Sequence, residues 1–412
     1  MNLELQLARR LYGTRKGKQR VSRPAVTIAK WGVAIGTAVM FVSICIIVGF
    51  KQQVRDKIIG FGGHIQILNY TADNGDTHPI TADSQLLQEL QQTKGVEHIQ
   101  QYVQAPGMIL SNGEYEGIVL KGIDKNYNLS FISSHITSGE IPCFSADSAS
   151  NSIIISEATA ERLKSKVGDK VNIYFLQDGI KARRMRIAAT YETHLTELDD
   201  VMAITDIYTT RKINGWGSDK VTGIEVLASN YEQRDECRND IATATQSACR
   251  RNSENVWRAT IDELYPAIFN WLGVLDQTVW IIMILVAGIA CFTMVSGLFI
   301  LILEKSSFIG IMKALGANNG SIRRTFIYYS SFIVLRGLLL GNAIALVLCL
   351  TQQHTGLIAL DPEMYYMERV PIEFTWLLLP MNIAMFIIST AVLVIPSMLI
   401  SKVEPTKAIK FE

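Results

Sequence analysis

Apolar residues gather in long uncharged runs along this chain. No charged residue occurs from Trp31 to Phe50, from Gln277 to Leu303, or from Phe374 to Ser401. Each run reaches the roughly 20 residues that a helix rising 1.5 Å per residue needs to cross about 30 Å of hydrocarbon. A fourth run, about Thr325 to Leu350, is interrupted by Arg336 and Asn342. A lone charge in such a helix usually faces a bundle interior or a wet cavity, so this run also counts as spanning. The first run is long for a cleaved leader and Ser43 to Phe50 offers no small-x-small cleavage site, so it reads as a retained anchor.

Between the first and second runs the pattern changes. Lys51 to Ile59 continues a helix that stops at Gly60 and the Gly62-Gly63 pair, and the alternation from His64 to Leu68 predicts a strand. Further strands are predicted at Gly117 to Leu120, Ser152 to Ile155, Val171 to Phe175 and Met185 to Ala189. Gln177-Asp178-Gly179 would close a hairpin between the last two. Ser156 is placed to cap a helix through Ala160 and Leu163 to Lys166. Trp257, Ile261, Leu264, Tyr265, Ile268, Phe269 and Leu272 form one helical stripe leading into the second span, with Pro266 inside it predicting a kink or a break.

The expected fold is therefore a polytopic α-helical membrane protein, with four transmembrane helices and a large mixed α/β periplasmic domain between the first and second. Its parts are a basic N-terminal segment 1–24, a first span and stalk 25–60, the α/β domain 61–252, and a stalk with the second span 253–303. A cytoplasmic connection 304–324 follows, then the third span 325–351, an outer loop 352–373, the fourth span 374–401 and a tail 402–412.

Charge orients these parts. Arg9, Arg10, Arg15, Lys16, Lys18, Arg20, Arg23 and Lys30 precede the first span against Glu4 alone, which places the N-terminus in the cytoplasm. Lys305, Lys313, Arg323, Arg324, Lys402, Lys407 and Lys410 then fall inside as well, while the acid-rich loop 352–373 falls outside. The net charge of +1 sums a basic inner face and a nearly balanced outer domain, so contact with anionic lipid accounts for the basic arm without nucleic acid.

Chemistry is sparse. The six histidines are scattered and read as ordinary polar surface residues, and no Gly-x-Ser-x-Gly, His-Glu-x-x-His or phosphate-binding Gly-Lys-Ser/Thr loop occurs in the sequence. We therefore expect no catalytic residue, no metal ligand and no nucleotide site in this chain. Cys45, Cys291 and Cys349 fall inside spans as small fillers; a Cys237–Cys249 disulfide stays open.

The informative short segment runs from Glu304 and Lys305 to Ala317. Phe308, Ile311, Met312 and Leu315 repeat at i, i+3, i+4 and i+7, and Gly316 offers a stop. Such a helix suits either the lipid surface or a groove of a cytoplasmic protein. Gly32 with Gly36, and Gly337 with Gly341, would let helices approach closely.

These residues, taken together, resemble the permease subunits of lipoprotein-releasing ABC transporters, the LolC/LolE-like members of the wider FtsX/MacB-like permease group. The likeness covers nearly the whole chain. It rests on Leu7-Ala8-Arg9-Arg10, on Val48 to Phe61 with Gly63-His64-Ile65, on Lys166 to Val171, and on Thr222 to Val226. More specific are Glu304-Lys305, Ile309 to Ala317, Ile322 to Phe326, Tyr365 to Pro371, and Glu404 to Ile409.

The resemblance implies that Glu304, Lys305, Phe308, Ile311, Met312, Lys313, Leu315, Gly316 and Ala317 form a coupling helix that docks on a separate ABC ATPase dimer, which would supply ATP and Mg. It implies a type VII, mechanotransmitting system that extracts lipoproteins from the inner membrane, built as a homodimer or with a second permease. Met40, Phe41, Ile44, Val48, Trp280, Met283 and Ile284 become candidates for acyl-chain contact. A periplasmic carrier is a candidate partner, although the hairpin 175–184 is shorter than the hooking loop of some members, and Arg336 stands where related sequences are apolar. Two alternatives remain: efflux of another amphiphile, or a regulator that passes ATPase movement to a periplasmic partner such as a cell-wall hydrolase.

Overall fold

A computed structural model describes residues 22–70, 78–176 and 179–398. The basic arm before Ser22, the tail from Leu399 and the hairpin tip Gln177-Asp178 lie outside the described residues. The chain divides into two compact units. One contains residues up to Gln52, Trp271–Ala359 and the chain from Arg369 on; the other contains Gln53–Asn270 and Leu360–Glu368.

The first unit is a helical bundle. Helices α1 (Ser22–Gly62), α2 (Pro266–Glu304), α4 (Asn319–Thr355) and α5 (Leu378–Val392) alternate with a short α3 (Ser306–Ala314) between α2 and α4. Among the described residues four helices are long and apolar enough to cross a membrane, the last formed by α5 and its continuation to Ser397. Helix α1 is the inner one: 61% of its most apolar stretch is buried, against 22% for α2. Val33, Met40, Phe41, Ile44, Met294, Leu298, Val334 and Met385 share one core.

Two expectations shift here. The fourth span begins at Leu378 rather than Phe374, placing Pro380 in the first helical turn, where its missing N–H has no partner to lose. The expected stalk helix before the second span does not form from Trp257: Val256–Thr260 is a strand paired antiparallel with Ile65–Asn69. Thr260 and Glu263 then make a capping box for Ile261–Leu264, and Pro266 opens α2. The apolar spacing that reads as a helical stripe is shared by a strand, a single turn and the start of a helix, with the proline marking a break.

The second unit is a mixed α/β domain. Its strands are β1 (Ile65–Asn69), β2 (Ile80–Thr81), β3 (Val96–Ser111), β4 (Glu114–Ile123), β5 (Ile136–Gly139) and β6 (Ser152–Ser156). They continue with β7 (Lys170–Phe175), β8 (Lys181–Tyr191), β9 (Met202–Asp206), β10 (Lys220–Val221), β11 (Gly223–Ala228) and β12 (Val256–Thr260). Ten of the described strands form one sheet in the order β12-β1-β11-β3-β4-β9-β6-β8-β5, with β7 bridging β3 and β8; β2 and β10 pair separately. Most neighbours are antiparallel, but β4 with β9 and β6 with β8 run parallel. Ser156 caps the following helix by accepting from the Thr159 N–H, and that helix ends at Arg162, short of Lys166, where Lys164 turns the chain at φ 50°.

Two apolar cores line the sheet. Ile65, Ile67, Leu86, Leu90, Ile224 and Val226 build one; Ile109, Leu120, Ile153, Ile173, Phe175 and Ile187 build the other. Among them sits a buried polar network at the C-terminal end of α1. Lys121 Nζ donates to the Phe61 carbonyl at 2.5 Å, to Tyr127 Oη at 2.7 Å and to Glu225 Oε1 at 2.6 Å. Tyr127 Oη and Gln100 Nε2 donate to the other carboxylate oxygen of Glu225, and Gln66 Nε2 donates to the Gly62 carbonyl. A cation is thereby set against the last carbonyls of a helix, where the helix dipole favours positive charge.

The segment Leu360–Glu368, expected as a plain outer loop, is part of the domain. Lys57 Nζ donates to the carbonyls of Thr193 and Tyr366, at 2.7 and 2.5 Å. Tyr366 Oη donates to Glu197, and His194 lies between Glu192 and Glu368 at 3.5 and 3.4 Å. The surface reading of the histidines fails at His64 and His194, both largely enclosed. Cys237 and Cys249 are free thiols on separate helices.

Candidate functional site

The connection between α2 and α4 is tightly built. Lys305 leaves the helical conformation for one residue, and α3 resumes at Ser306. At its far end the Ala317 N–H donates to the Met312 carbonyl and the Gly316 N–H to the Lys313 carbonyl, both at 3.0 Å, with Gly316 at φ +87°. Only the absence of a Cβ makes that left-handed stop inexpensive. Asn318 then caps α4 through the Gly320 N–H.

The side chains of α3 point two ways. Ile309 and Gly310 are buried, and Met312 and Ala317 pack against the bundle core. Ile311 and Leu315 face outward, 49% and 79% exposed. Phe308 and Lys313 are half-buried. The stripe Phe308-Ile311-Met312-Leu315 does not therefore present a single face: a short helix hung between two long ones must give one side to its own bundle, and Met312 goes there with Ile309. At the base of α3, Glu304 Oε2 is buried and meets no donor among the described residues. The apolar pair Ile311 and Leu315, one helical turn apart, and the acceptor on Glu304 are what this segment leaves unused.

The residues considered for acyl contact do not share a surface within the bundle. Met40, Phe41 and Ile44 are buried in its core, and Val48 and Met283 pack against that core. Trp280 and Ile284 on α2 face outward, 64% and 69% exposed. Alternation of apolar residues cannot separate a lipid-facing from a core-facing side when both are apolar, and α1 turned out to be surrounded.

The four glycines mark where helices touch. A Cβ on Gly32 would lie 2.6 Å from the Thr293 side chain, and one on Gly36 3.3 Å from Ala290, so both meet α2. On α4, a Cβ at Gly337 would lie 2.9 Å from Val33 and one at Gly341 2.4 Å from the Ala34 carbonyl oxygen. Both pairs thus serve contacts of α1 within one chain. Arg336, next to Gly337, is exposed on α4.

Comparison with known proteins covers both units. Residues 28–244 match the MacB-like periplasmic core domain and residues 280–405 the FtsX-like permease C-terminal. The lipoprotein-releasing system transmembrane protein LolE of Haemophilus influenzae is 24% identical over 415 residues, covering 96% of each chain. The corresponding LolC of Neisseria meningitidis is 22% identical over 403 residues, covering 92% of each. The periplasmic region of MacB from Actinobacillus actinomycetemcomitans aligns with a TM-score of 0.36 at 14% identity, over 52% of this chain and 96% of that one.

Proposed function

The chain belongs to the MacB-like periplasmic core domain family, and from that premise we propose that it is the permease subunit of a mechanotransmitting ABC transporter that releases lipoproteins from the inner membrane. Relatives that match over nearly their whole length include lipoprotein-releasing system transmembrane proteins, and an architecture of four candidate spans with one α/β domain between the first and second suits a subunit that converts motion rather than one that performs chemistry. ATP and Mg belong, on this reading, to a partner ATPase dimer on the cytoplasmic side, where the basic flanks place both termini.

The observation that carries the coupling role is the divided α3. One side is fixed to the bundle by Ile309 and Met312, while Leu315 and Ile311 stand in the open. A helix so anchored can take a push on its free side and pass it to α2 and α4. Work is needed because each acyl chain of a lipoprotein holds to the bilayer with about 0.8 kcal/mol per buried methylene. Trp280 and Ile284 are the acyl contacts this reading keeps on the outer surface, and a second permease, identical or similar, would enclose the acyl chains against them.

Depletion of the protein, followed by separation of inner and outer membranes, should leave lipoproteins in the inner membrane; normal sorting would refute lipoprotein release. Leu315→Asp should cut co-purification of the ATPase subunit at least tenfold with the permease still inserted. Unchanged recovery would refute the docking role of α3.

A further inference from the structure

Nine residues between α4 and α5, Leu360–Glu368, are folded onto the α/β domain as a strap. The strap closes on itself: the Leu360 N–H donates to the Glu368 carbonyl at 2.8 Å, and the N–H groups of Met364, Tyr365 and Tyr366 donate to the carbonyls of Asp361 and Pro362. Lys57 Nζ donates to the Tyr366 carbonyl, Tyr366 Oη donates to Glu197, and Met367 is buried. One further tie is of a different kind. His194 is four-fifths enclosed, and each of its ring nitrogens faces a carboxylate. Nδ1 lies 3.5 Å from Glu192, and Nε2 lies 3.4 Å from Glu368, the last residue of the strap.

A neutral imidazole carries one N–H and one lone pair, so it serves one of these carboxylates and turns a lone pair toward the other. The imidazolium donates to both. The contact is therefore complete only with the ring protonated, and an imidazole ordinarily changes charge near pH 6.5. The ring is also held in place. His194 has φ 61°, and Tyr366 on the strap has φ 60°, both in the left-handed region that residues other than glycine rarely occupy. Asp199 fixes the turn that presents the ring, accepting the Thr193 N–H at 3.0 Å and the Thr193 hydroxyl at 2.7 Å, while Thr193 Oγ1 accepts the Leu195 N–H. Strained residues persist where their surroundings over-determine them, and they cluster in switch regions.

Other charges face this contact from each neighbouring element. Glu197 and Asp199 come from the helix Thr196–Asp199, Asp200 follows it and pairs with Arg162, Lys57 comes from α1, and Asp361 from the strap. Burial raises the Asp199 pKa, so Asp199 is a second group that gains a proton as pH falls. It acts on the turn, whereas Glu368 acts on the strap, and substitution of Glu368 separates the two.

We propose that His194 is a proton-operated clasp that fastens the strap Leu360–Glu368 to the α/β domain, closed when the imidazolium bridges Glu192 and Glu368 and slackened when the ring is neutral. Such a clasp is closed below the range in which imidazole titrates and opens as pH rises through it. The clasp sets how firmly the chain between α4 and α5 is held to the domain, whatever the protein transports. All of its parts belong to one compact unit.

Hydrogen–deuterium exchange of the full-length protein, read by mass spectrometry at pH 7.5 and 5.5 and corrected for intrinsic exchange rates, tests this through the amides of Leu360, Met364, Tyr365 and Tyr366. Their protection should rise about fivefold from pH 7.5 to 5.5, the size expected of two partly exposed ion pairs, while peptides covering β1 gain none. Asparagine tolerates a positive φ, so His194→Asn keeps the turn and removes the charge, and the rise should vanish. Glu368→Gln changes a side chain that is 64% exposed, leaves Asp199 in place, and should cut the rise below twofold. Equal protection of the wild-type strap at the two pH values overturns the proposal. A full rise in Glu368→Gln overturns it as well, because the response then belongs to Asp199 or to the Glu192 contact alone, and so does a full rise in His194→Asn. Should His194→Asn fold poorly, Glu192→Gln takes its place and should cut the rise below twofold, with a full rise again overturning the clasp.

Discussion

The α/β domain and the helical bundle solve the same problem, burying polar groups, in opposite ways. In the domain, deeply buried charges are answered by specific partners. Lys121 meets Glu225, Asp199 takes the Thr193 N–H and hydroxyl, and Asp206 takes Ser150 and the Thr209 N–H. In the bundle, the Thr37 hydroxyl is buried without a hydrogen-bond partner among the described residues, an exception the domain shares at Thr209 Oγ1 and Asn214 Oδ1, and what fits the helices together is glycines and small side chains. A strand needs its neighbours to satisfy its backbone, so a sheet gains from polar groups that fix register and direction. A helix satisfies its own backbone, and shape alone can set how two of them pack. The domain is thus specified by pairing and the bundle by fit, which predicts different responses to substitution.

The largest effect should come from breaking a pair. Lys121→Met leaves the fully buried Glu225 with no cation, which costs about 3–5 kcal/mol and lowers the melting temperature of the full-length protein by roughly 10 °C. Lys121→Met with Glu225→Leu should recover most of that loss, since an apolar pair of similar volume replaces a buried ion pair at little cost. Failure of the double variant to recover would mean that the network contributes through the Phe61 carbonyl and Tyr127 and not through the ion pair.

A smaller effect should come from spoiling fit. Gly341→Val places carbon where the Ala34 carbonyl oxygen and Thr37 already lie, within 2.4 and 2.9 Å, and overpacking of this kind costs about 1–3 kcal/mol. Gly288→Val on α2, where nothing among the described residues lies within 4 Å, is the control and should melt as wild type does. Equal melting of the two variants would show that the bundle repacks freely.

Legibility in the sequence followed the same division. Apolar runs, three of them uncharged and one interrupted by Arg336, announced all four spans, and the stop at Gly62-Gly63 fell where α1 ends, because both signals are local. Strands with strict alternation, such as β1 and β7, were readable; β3, sixteen residues long with Pro106 and Gly107 inside it, was not. Its N-terminal half is held by β11, far along the chain, and only its C-terminal half by the adjoining β4, so its length is set by two different partners. The spacing around Trp257 suits a helix as well as a strand, and pairing with β1, distant in sequence, decides for the strand. The domain role of Leu360–Glu368 depends on Lys57, about 300 positions earlier in the chain, which no local pattern conveys. In α3 the amphipathic stripe was visible, but which side the bundle would claim was not, since Ile309 and Leu315 are equally apolar.

The smallest expected effect tests whether the domain's pairing logic extends to a neutral group. His64 Nδ1 accepts the Ala228 N–H at 3.2 Å, and burial with two nearby arginines lowers its pKa from the ordinary 6.5 to about 4. A depressed histidine contributes stability that is complete above pH 6.5 and is lost as pH falls toward 4, because the unfolded chain takes up the proton first. Burial raises the Asp199 pKa, which works in the opposite direction over acid pH, so the wild-type profile alone would mix the two. His64→Gln removes one contribution and keeps an acceptor near the Ala228 N–H. Its melting temperature should fall less steeply than that of wild type between pH 6.5 and 4, with a difference on the order of 1 kcal/mol across that window. Parallel profiles would mean that His64 is protonated without penalty, and that the guanidiniums of Arg55 and Arg234 do not reach it.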